Sequence, residues 1–145
     1  MPADIPNQVE AHRMLILVAT GRATTDYPSG RQIFAQGDDA DFVFFIQNGS
    51  VKLTTISSDG AEDLIGTAHE GQFFGEACLH SVPVRLATAT ATGDCRITSV
   101  TKAAMLSALQ AQPRFARMFI GYLAAHNSWL KKELLDHLLL TAETT

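Results

Sequence analysis

The sequence predicts a mainly β fold, a β-roll or jelly roll of two packed sheets with helices at its ends. Apolar or alternating runs of strand length fill the middle of the chain, and helix formers occupy both ends. Short strands separated by regular turns are typical of antiparallel folds that pack two sheets together. The turns are predicted at glycines that recur along the middle of the chain: Gly30, Gly37, Gly49, Gly60 and Gly71.

Length and composition limit the function classes. The 145 residues fit one domain with one core. The net charge is -4 and lysines are few, so we expect no DNA binding by this chain alone. Two cysteines, Cys78 and Cys95, favour a reducing, cytoplasmic location. The early apolar run, residues 14–19, is too short to span a bilayer, so we expect no membrane segment.

The middle strands are recognised from their patterns. Residues 42–46 are continuously apolar, as in a strand covered on both faces, and residues 51–56 alternate after an Asn-Gly turn. These two runs predict a hairpin. Residues 87–92 alternate alanine with threonine, and a Gly-Asp turn leads to a further alternating run over residues 95–100.

Helices are expected on both sides of the roll. Residues 9–19 carry apolar residues at helical spacing. Helix formers follow from Thr101, and Pro113 divides a short helix from a long one over about residues 114–140. The chain thus divides into an N-terminal helical segment (1–26), the β-roll (27–112) and a C-terminal helix (113–145).

The long helix carries a broad apolar face. Leu130, Leu134 and Leu138 form one stripe, with Leu135 and Leu139 beside it. One interpretation is packing on its own domain, and the other is pairing with its copy in a homodimer. The width of the face, which exceeds what one small roll covers, favours the homodimer.

Candidate chemistry is concentrated in "FFGEACLHSVPVRLATATA", residues 73–91. Arg85 offers a planar fork of donors that matches phosphate oxygens, and Glu76 can accept hydrogen bonds from hydroxyls. Gly75 lets the backbone approach a ligand closely, and amides at the start of a short helix can face an anion. On spacing alone, an ion pair across a surface loop is the simpler interpretation.

The stretch resembles the phosphate-binding cassette of the cyclic nucleotide-binding domain family. The family pattern runs Phe-Gly-Glu, two small or apolar residues, Leu, a variable loop, then Arg, a small residue, Ala, and Thr or Ser. It stands here as "FGEACL" (74–79) and "RLAT" (85–88). "FFIQNGSVKL" (44–53) and "GQFFGE" (71–76) are also similar to family segments. Within the family, the cassette and the trailing "NSWLKKELLDHL" look most like the sensor domain of bacterial Crp/Fnr-type transcription regulators.

The resemblance implies an allosteric cyclic-nucleotide sensor with no catalytic activity and no catalytic cofactor. Glu76 is implied to accept the ribose 2′-hydroxyl, and Arg85 to pair with the exocyclic oxygen of the cyclic phosphate. The rest of the implied phosphate cradle is Gly75, Ala77, Cys78, Leu86 and Ala87. The implied candidates for contact with the base are Ile65 on the roll, which fits core packing equally well, and His126, Leu130 and Lys131 on the long helix.

Leu86 departs from the pattern of many family members, which carry Ala, Ser or Thr there. A hydroxyl at this position helps guanine recognition in some members, so its absence favours cyclic AMP over cyclic GMP as the ligand. A bulky Leu86 also narrows the pocket. An orphan or standalone module that acts through protein partners without nucleotide therefore remains an alternative.

Two further expectations concern what the chain lacks. Crp/Fnr-type regulators continue after the long helix into a helix-turn-helix, and we expect none here because few residues follow Leu140. A remote alternative is a cupin-type metal enzyme with the same strand pattern, which needs clustered imidazoles. The histidines are scattered without a His-x-His pair, so we expect no metal site.

Overall fold

The structure is a computed structural model that describes residues 22–80, 83–125 and 139. The strands of the described part are β1 (Arg22–Tyr27), β2 (Gln32–Phe34), β3 (Phe42–Asn48), β4 (Ser50–Ile56), β5 (Glu62–His69), β6 (Phe73–Phe74), β7 (Thr88–Ala91) and β8 (Cys95–Thr101). A 3₁₀ helix (Glu76–His80) follows β6, and two helices follow β8: α1 (Lys102–Ala111) and α2 (Pro113–Ala125).

The strands form two four-stranded antiparallel sheets in the orders β1-β8-β3-β6 and β2-β7-β4-β5. The predicted β-roll is therefore confirmed. The turn glycines are confirmed as well, because all of them have positive φ angles, which glycine adopts without steric cost: Gly30, Gly37, Gly49, Gly60 and Gly71.

The hairpin predicted between β3 and β4 is wrong. β3 pairs with β6 and β8, whereas β4 pairs with β5 and β7, so the Asn48-Gly49 turn carries the chain from one sheet to the other. The chain crosses again between β7 and β8. An Asn-Gly pair supplies the positive φ of a tight turn but does not determine which strands pair afterwards.

The roll begins earlier than predicted. β1 occupies Arg22–Tyr27, so the end of the segment 1–26 is a strand instead of a helix. β1 pairs with β8 along its whole length, from Arg22 opposite Val100 to Tyr27 opposite Cys95. The helix predicted over residues 9–19 lies outside the described residues.

The two helices after the roll start where the sequence predicts. Thr101 caps α1, because its hydroxyl accepts a hydrogen bond from the backbone amide of Ala104 at 3.1 Å. Pro113 begins α2, where its missing N–H leaves no intrahelical bond unmade. The remainder of the long helix lies outside the described residues except for Leu139, which is exposed. The homodimer predicted from the leucine face stays a prediction.

The expected single core is divided in two by the sheet that contains β3 and β6. Phe44 and Phe74 belong to a cluster between the two sheets. Their neighbours Phe45 and Phe73 belong to a cluster shared with α1 and α2. β6 therefore contacts the interior of the roll on one face and the helices on the other. Within the described ranges, no helix is long and apolar enough to cross a bilayer.

Candidate ligand-binding site

A cavity of about 370 Å³ lies in the roll between the β4–β5 hairpin and the segment that leaves β6. Its volume is in the range of small-molecule sites. The structure brings every predicted cassette residue into its wall: Gly75, Glu76, Ala77, Cys78, Arg85, Leu86 and Ala87. Ile65 lines the cavity as well.

Gly75 makes the turn from β6 into the 3₁₀ helix with φ 74°. A Cβ at this position would lie 2.8 Å from Nη1 of Arg85 and 3.1 Å from the ring of Phe44. Glycine is therefore needed both for the backbone conformation and for the close approach of the guanidinium. The sequence analysis expected Gly75 to let the backbone approach a ligand, and that part of its role stays a prediction.

Arg85 is buried, with 6% of its surface exposed. Its Nη1 donates to the carbonyl oxygen of Gly75 at 2.8 Å, and its Nη2 donates to the carbonyl oxygen of Phe42 at 2.6 Å. Cζ lies 4.2 Å from the centroid of the Phe34 ring and 5.4 Å from that of Phe44. The surface ion pair considered from spacing alone is excluded, because Arg85 lies inside the roll.

The electrostatics of Arg85 suit an anion. Burial lowers the pKa of the guanidinium, and the nearby Cys78, Glu76 and Asp41 oppose that effect. An arginine in a protein nevertheless stays protonated. Nε of Arg85 is buried and has no hydrogen-bond partner among the residues that the structure describes. The cavity wall thus holds a desolvated cation with a donor still to be satisfied.

Glu76 begins the 3₁₀ helix and is 3% exposed. Its side chain therefore lies within the protein and lines the cavity instead of pointing into solvent. A carboxylate in such a place forms strong hydrogen bonds with hydroxyl donors. Its predicted contact with a ribose hydroxyl remains a prediction.

Cys78 lies in the 3₁₀ helix of the cassette with 1% of its surface exposed. Its thiol lies 3.4 Å from the carbonyl oxygen of Gly75 and 3.7 Å from that of Phe42, the two carbonyls that also accept from Arg85. Burial raises the pKa of the thiol, with smaller opposing effects from Arg85 and Lys102. Cys78 is therefore a neutral group that packs in the cluster shared with α1 and α2.

A β-bulge brings Ile65 to the cavity. Leu53 pairs with Gly66 and Thr54 with Leu64, so Ile65 is an extra residue on β5. Bulges redirect a side chain at binding sites. Ile65 is 45% exposed, which excludes the core packing left open from the sequence. Its contact with a base stays a prediction, and the other base candidates (His126, Leu130 and Lys131) lie outside the described residues.

The sequence analysis missed Phe34 and the carbonyl of Phe42. Phe34 is on β2 and Phe42 begins β3, and both contact Arg85 from far along the chain. No local motif marks such contacts, since a backbone carbonyl is present at every residue and a single aromatic in a strand is ordinary core composition.

The cupin-type alternative requires a cluster of metal-ligating side chains. In residues 22–80 and 83–125, no three His, Cys, Asp or Glu side chains come together as a metal site would require. Among the histidines in these ranges, the structure describes the side chain of His69, which is exposed to solvent.

Comparison with known proteins supports the same interpretation of the fold. The CRP-like cAMP-activated global transcriptional regulator of Mycobacterium tuberculosis is 28% identical over 99 residues, which are 68% of this chain and 44% of that protein. The cAMP-dependent protein kinase type II regulatory subunit of Drosophila melanogaster is 37% identical over 76 residues, 52% of this chain and 20% of that protein. The chain thus spans less than half the length of these relatives.

The crystal structure of the Catabolite Activator Protein of Thermus thermophilus superposes with a TM-score of 0.69 at 26% identity, covering 89% of this chain and 59% of that one. A family model described as "Cyclic nucleotide-binding domain" matches residues 24–112, from β1 through α1 to the residue before Pro113. That span contains the whole cassette and both sheets except for the first two residues of β1. The chain therefore belongs to the cyclic nucleotide-binding domain family and is related to the Crp/Fnr-type regulators.

Proposed function

We propose that this domain is the ligand sensor of a Crp/Fnr-type transcription regulator and that its ligand is cyclic AMP. The observation that carries the proposal is Arg85, a buried cation in the wall of a nucleotide-sized cavity. Its Nε has no partner within the described part of the chain. A desolvated cation with an unmet donor is stabilised by an anion that can accept from it.

The cavity offers different chemistry to different parts of a cyclic nucleotide. The cyclic phosphate would lie against Arg85 and the amides that follow Gly75. The ribose would lie near Glu76, whose carboxylate accepts from its 2′-hydroxyl. The base would extend toward Ile65 on the bulge of β5, where Leu53 and Ala68 also line the wall.

The choice of cyclic AMP over cyclic GMP rests on Leu86 and on the relatives. Leu86 lines the cavity and is 38% exposed, so it presents hydrocarbon where a hydroxyl would be available to a guanine. The names of the mycobacterial and fly relatives both refer to cAMP. Both points favour adenine.

The proposed action is allosteric and not catalytic. Ligand binding shifts a conformational equilibrium only by its differential affinity for the two states, typically about 1 to 3 kcal/mol. In the proposed sensor, closure of the cassette on the phosphate re-seats the C-terminal helix on the base and on its mate in a homodimer. We place this regulator in the cytoplasm, where cyclic nucleotides and DNA are both accessible.

The first test is calorimetric titration of the wild type, Arg85→Ala and Arg96→Ala with cyclic AMP and cyclic GMP. We expect cyclic AMP to bind the wild type more tightly than cyclic GMP. Arg85→Ala should lose about 2 to 5 kcal/mol of binding, which is at least about tenfold in affinity. Arg96→Ala is the matched control, because Arg96 pairs with Asp26 on the surface and does not line the cavity. Equal binding by wild type and Arg85→Ala, or no binding of either nucleotide to wild type, contradicts the proposal.

The same titration with 2′-deoxy cyclic AMP tests the role of Glu76. If Glu76 accepts the 2′-hydroxyl, the wild type should bind the deoxy ligand more weakly than cyclic AMP. The difference should shrink in Glu76→Gln, which keeps the shape of the side chain but loses its charge. An unchanged difference would assign the hydroxyl to another acceptor.

A further inference from the structure

We propose that Phe34 is a positioning residue for the proposed ligand site: its ring holds the guanidinium of Arg85 in the orientation that receives the phosphate. The ligand part of this inference rests on the proposed function. The structural part, the control of Arg85 by Phe34, does not depend on any ligand.

The geometry places Arg85 over an aromatic surface. Cζ lies 4.2 Å from the Phe34 centroid, well within the distance at which a ring face attracts a cation, and 5.4 Å from the Phe44 centroid. Phe34 is itself held by Phe44 and Phe74, with ring centroids 5.6 and 6.0 Å away. The guanidinium therefore lies against Phe34 and Phe44, two members of a packed group of three rings.

The contacts around Arg85 restrain it from different directions. The carbonyls of Gly75 and Phe42 accept from its two terminal nitrogens and fix the edge of the guanidinium. These bonds alone leave the plane free to tilt about that edge. Phe34 restrains the tilt because Cζ of the guanidinium lies over its ring, 4.2 Å from the centroid. With both restraints in place, the direction of Nε–H is fixed relative to the cavity.

Phe34 is more than general core filling. It is only partly buried, lines the cavity, and lies on β2, outside the cassette. Without its ring, water can enter beside a buried cation and the guanidinium can adopt other orientations. A ligand would then have to restore the orientation on binding, which lowers its affinity.

The binding test compares Phe34→Leu, Phe34→Tyr and Phe45→Leu by titration with cyclic AMP. Phe34→Leu removes the ring and should weaken binding about tenfold, while Phe34→Tyr keeps the ring and should bind within about twofold of wild type. Phe45→Leu is the matched control, because Phe45 packs in the helix-facing cluster. It should lower stability and leave affinity unchanged.

A double-mutant cycle separates positioning from general damage. If Phe34 acts through Arg85, adding Phe34→Leu to Arg85→Ala should cause no further loss of affinity. Equal losses in the two backgrounds overturn the proposal, as does wild-type affinity in folded Phe34→Leu.

A ligand-free measurement keeps the inference testable if the proposed function fails. The Nε–H proton of Arg85 should give a slowly exchanging NMR signal, displaced by the ring current of Phe34. We expect Phe34→Leu to move this signal toward the ordinary arginine position and to speed its exchange, and Phe34→Tyr to preserve it. An unchanged signal in Phe34→Leu overturns the positioning role. If wild type binds no cyclic nucleotide, only the proposed function is lost, and this signal alone decides the role of Phe34.

Discussion

At the scale of single residues, the site depends on the absence of a side chain at Gly75. The backbone of Gly75 has a positive φ, its carbonyl accepts from Arg85, and the space where its Cβ would lie is occupied by the guanidinium and by Phe44. One glycine therefore sets the turn, supplies an acceptor and leaves room for the cation. A family motif identifies such a glycine without showing which of these demands it meets.

Gly75→Ala should damage both the fold and the site. The positive φ costs about 1 to 2 kcal/mol for an L-residue, and the new Cβ displaces Arg85. We expect lower stability in urea denaturation together with weakened cyclic AMP binding. Gly60→Ala is the control, because Gly60 also has a positive φ of 85° but none of the described residues apart from its chain neighbours lies within 4 Å of its Cβ position. It should lose stability and keep affinity, and a similar loss of affinity in both variants would refute the steric account.

The thiol of Cys78 should make stability depend on pH in the alkaline range. Burial raises its pKa above the ordinary 9.0, so the folded protein holds this proton more tightly than the unfolded chain does. The stabilisation is therefore present below pH 9.0 and is lost as the pH rises through the folded value. Urea denaturation from about pH 8 upward should show a steeper loss of stability in wild type than in Cys78→Ser. Parallel curves would show that Cys78 does not contribute.

At the scale of elements, a tyrosine hydroxyl joins α2 to the strand that enters the cassette. Oη of Tyr122 accepts from the backbone amide of Phe73 at 2.6 Å and donates to the carbonyl oxygen of the same residue at 3.2 Å. Phe73 lies on β6, the edge strand of its sheet, and the outer backbone groups of β6 have no neighbouring strand among the residues that the structure describes. The helix therefore replaces the missing strand at this position.

Tyr122→Phe should expose the importance of this contact. Removing the hydroxyl deletes both hydrogen bonds to the backbone of the buried Phe73, at a cost of about 1 to 3 kcal/mol in unfolding free energy. We expect faster hydrogen exchange at the Phe73 amide than in wild type. Tyr27→Phe is the matched control, because the Tyr27 hydroxyl makes no hydrogen bond with the described residues and its loss should change little. Unaltered exchange at Phe73 would argue against the link.

At the scale of the whole molecule, the sequence predicts the strands better than their partners. Alternation and glycine spacing identify β3, β4, β7 and β8 because those signals are local. Pairing depends on burial elsewhere: β3 is apolar on both faces, so it takes an inner position between β8 and β6 instead of pairing with the adjacent β4. Turn chemistry at Gly49 is compatible with either outcome.

The binding site likewise has a part that the sequence predicts and a part that it does not. Its cassette residues are contiguous enough to be recognised by resemblance, and all of them line the cavity. The partners of Arg85 could not be found from the sequence, since Phe34 and Phe42 are joined to it only by the fold. The extra residue that Ile65 forms on β5 likewise comes from a shift of register against β4, and no residue type in the sequence predicts that shift.

The repeated crossing between sheets has a consequence for how the chain folds. Among the described strands, β4 and β5 are consecutive in the sequence and pair with each other. By contrast, β1 pairs with β8, the last strand of the roll. Distant pairings require long loops to close, at a cost in entropy, before the favourable contacts between the strands form. Such topologies are therefore slow to fold. Arg85 reaches the carbonyl of Phe42 across 43 residues. The cavity therefore does not exist in a partly folded chain, and the ability to bind arises only as the roll closes.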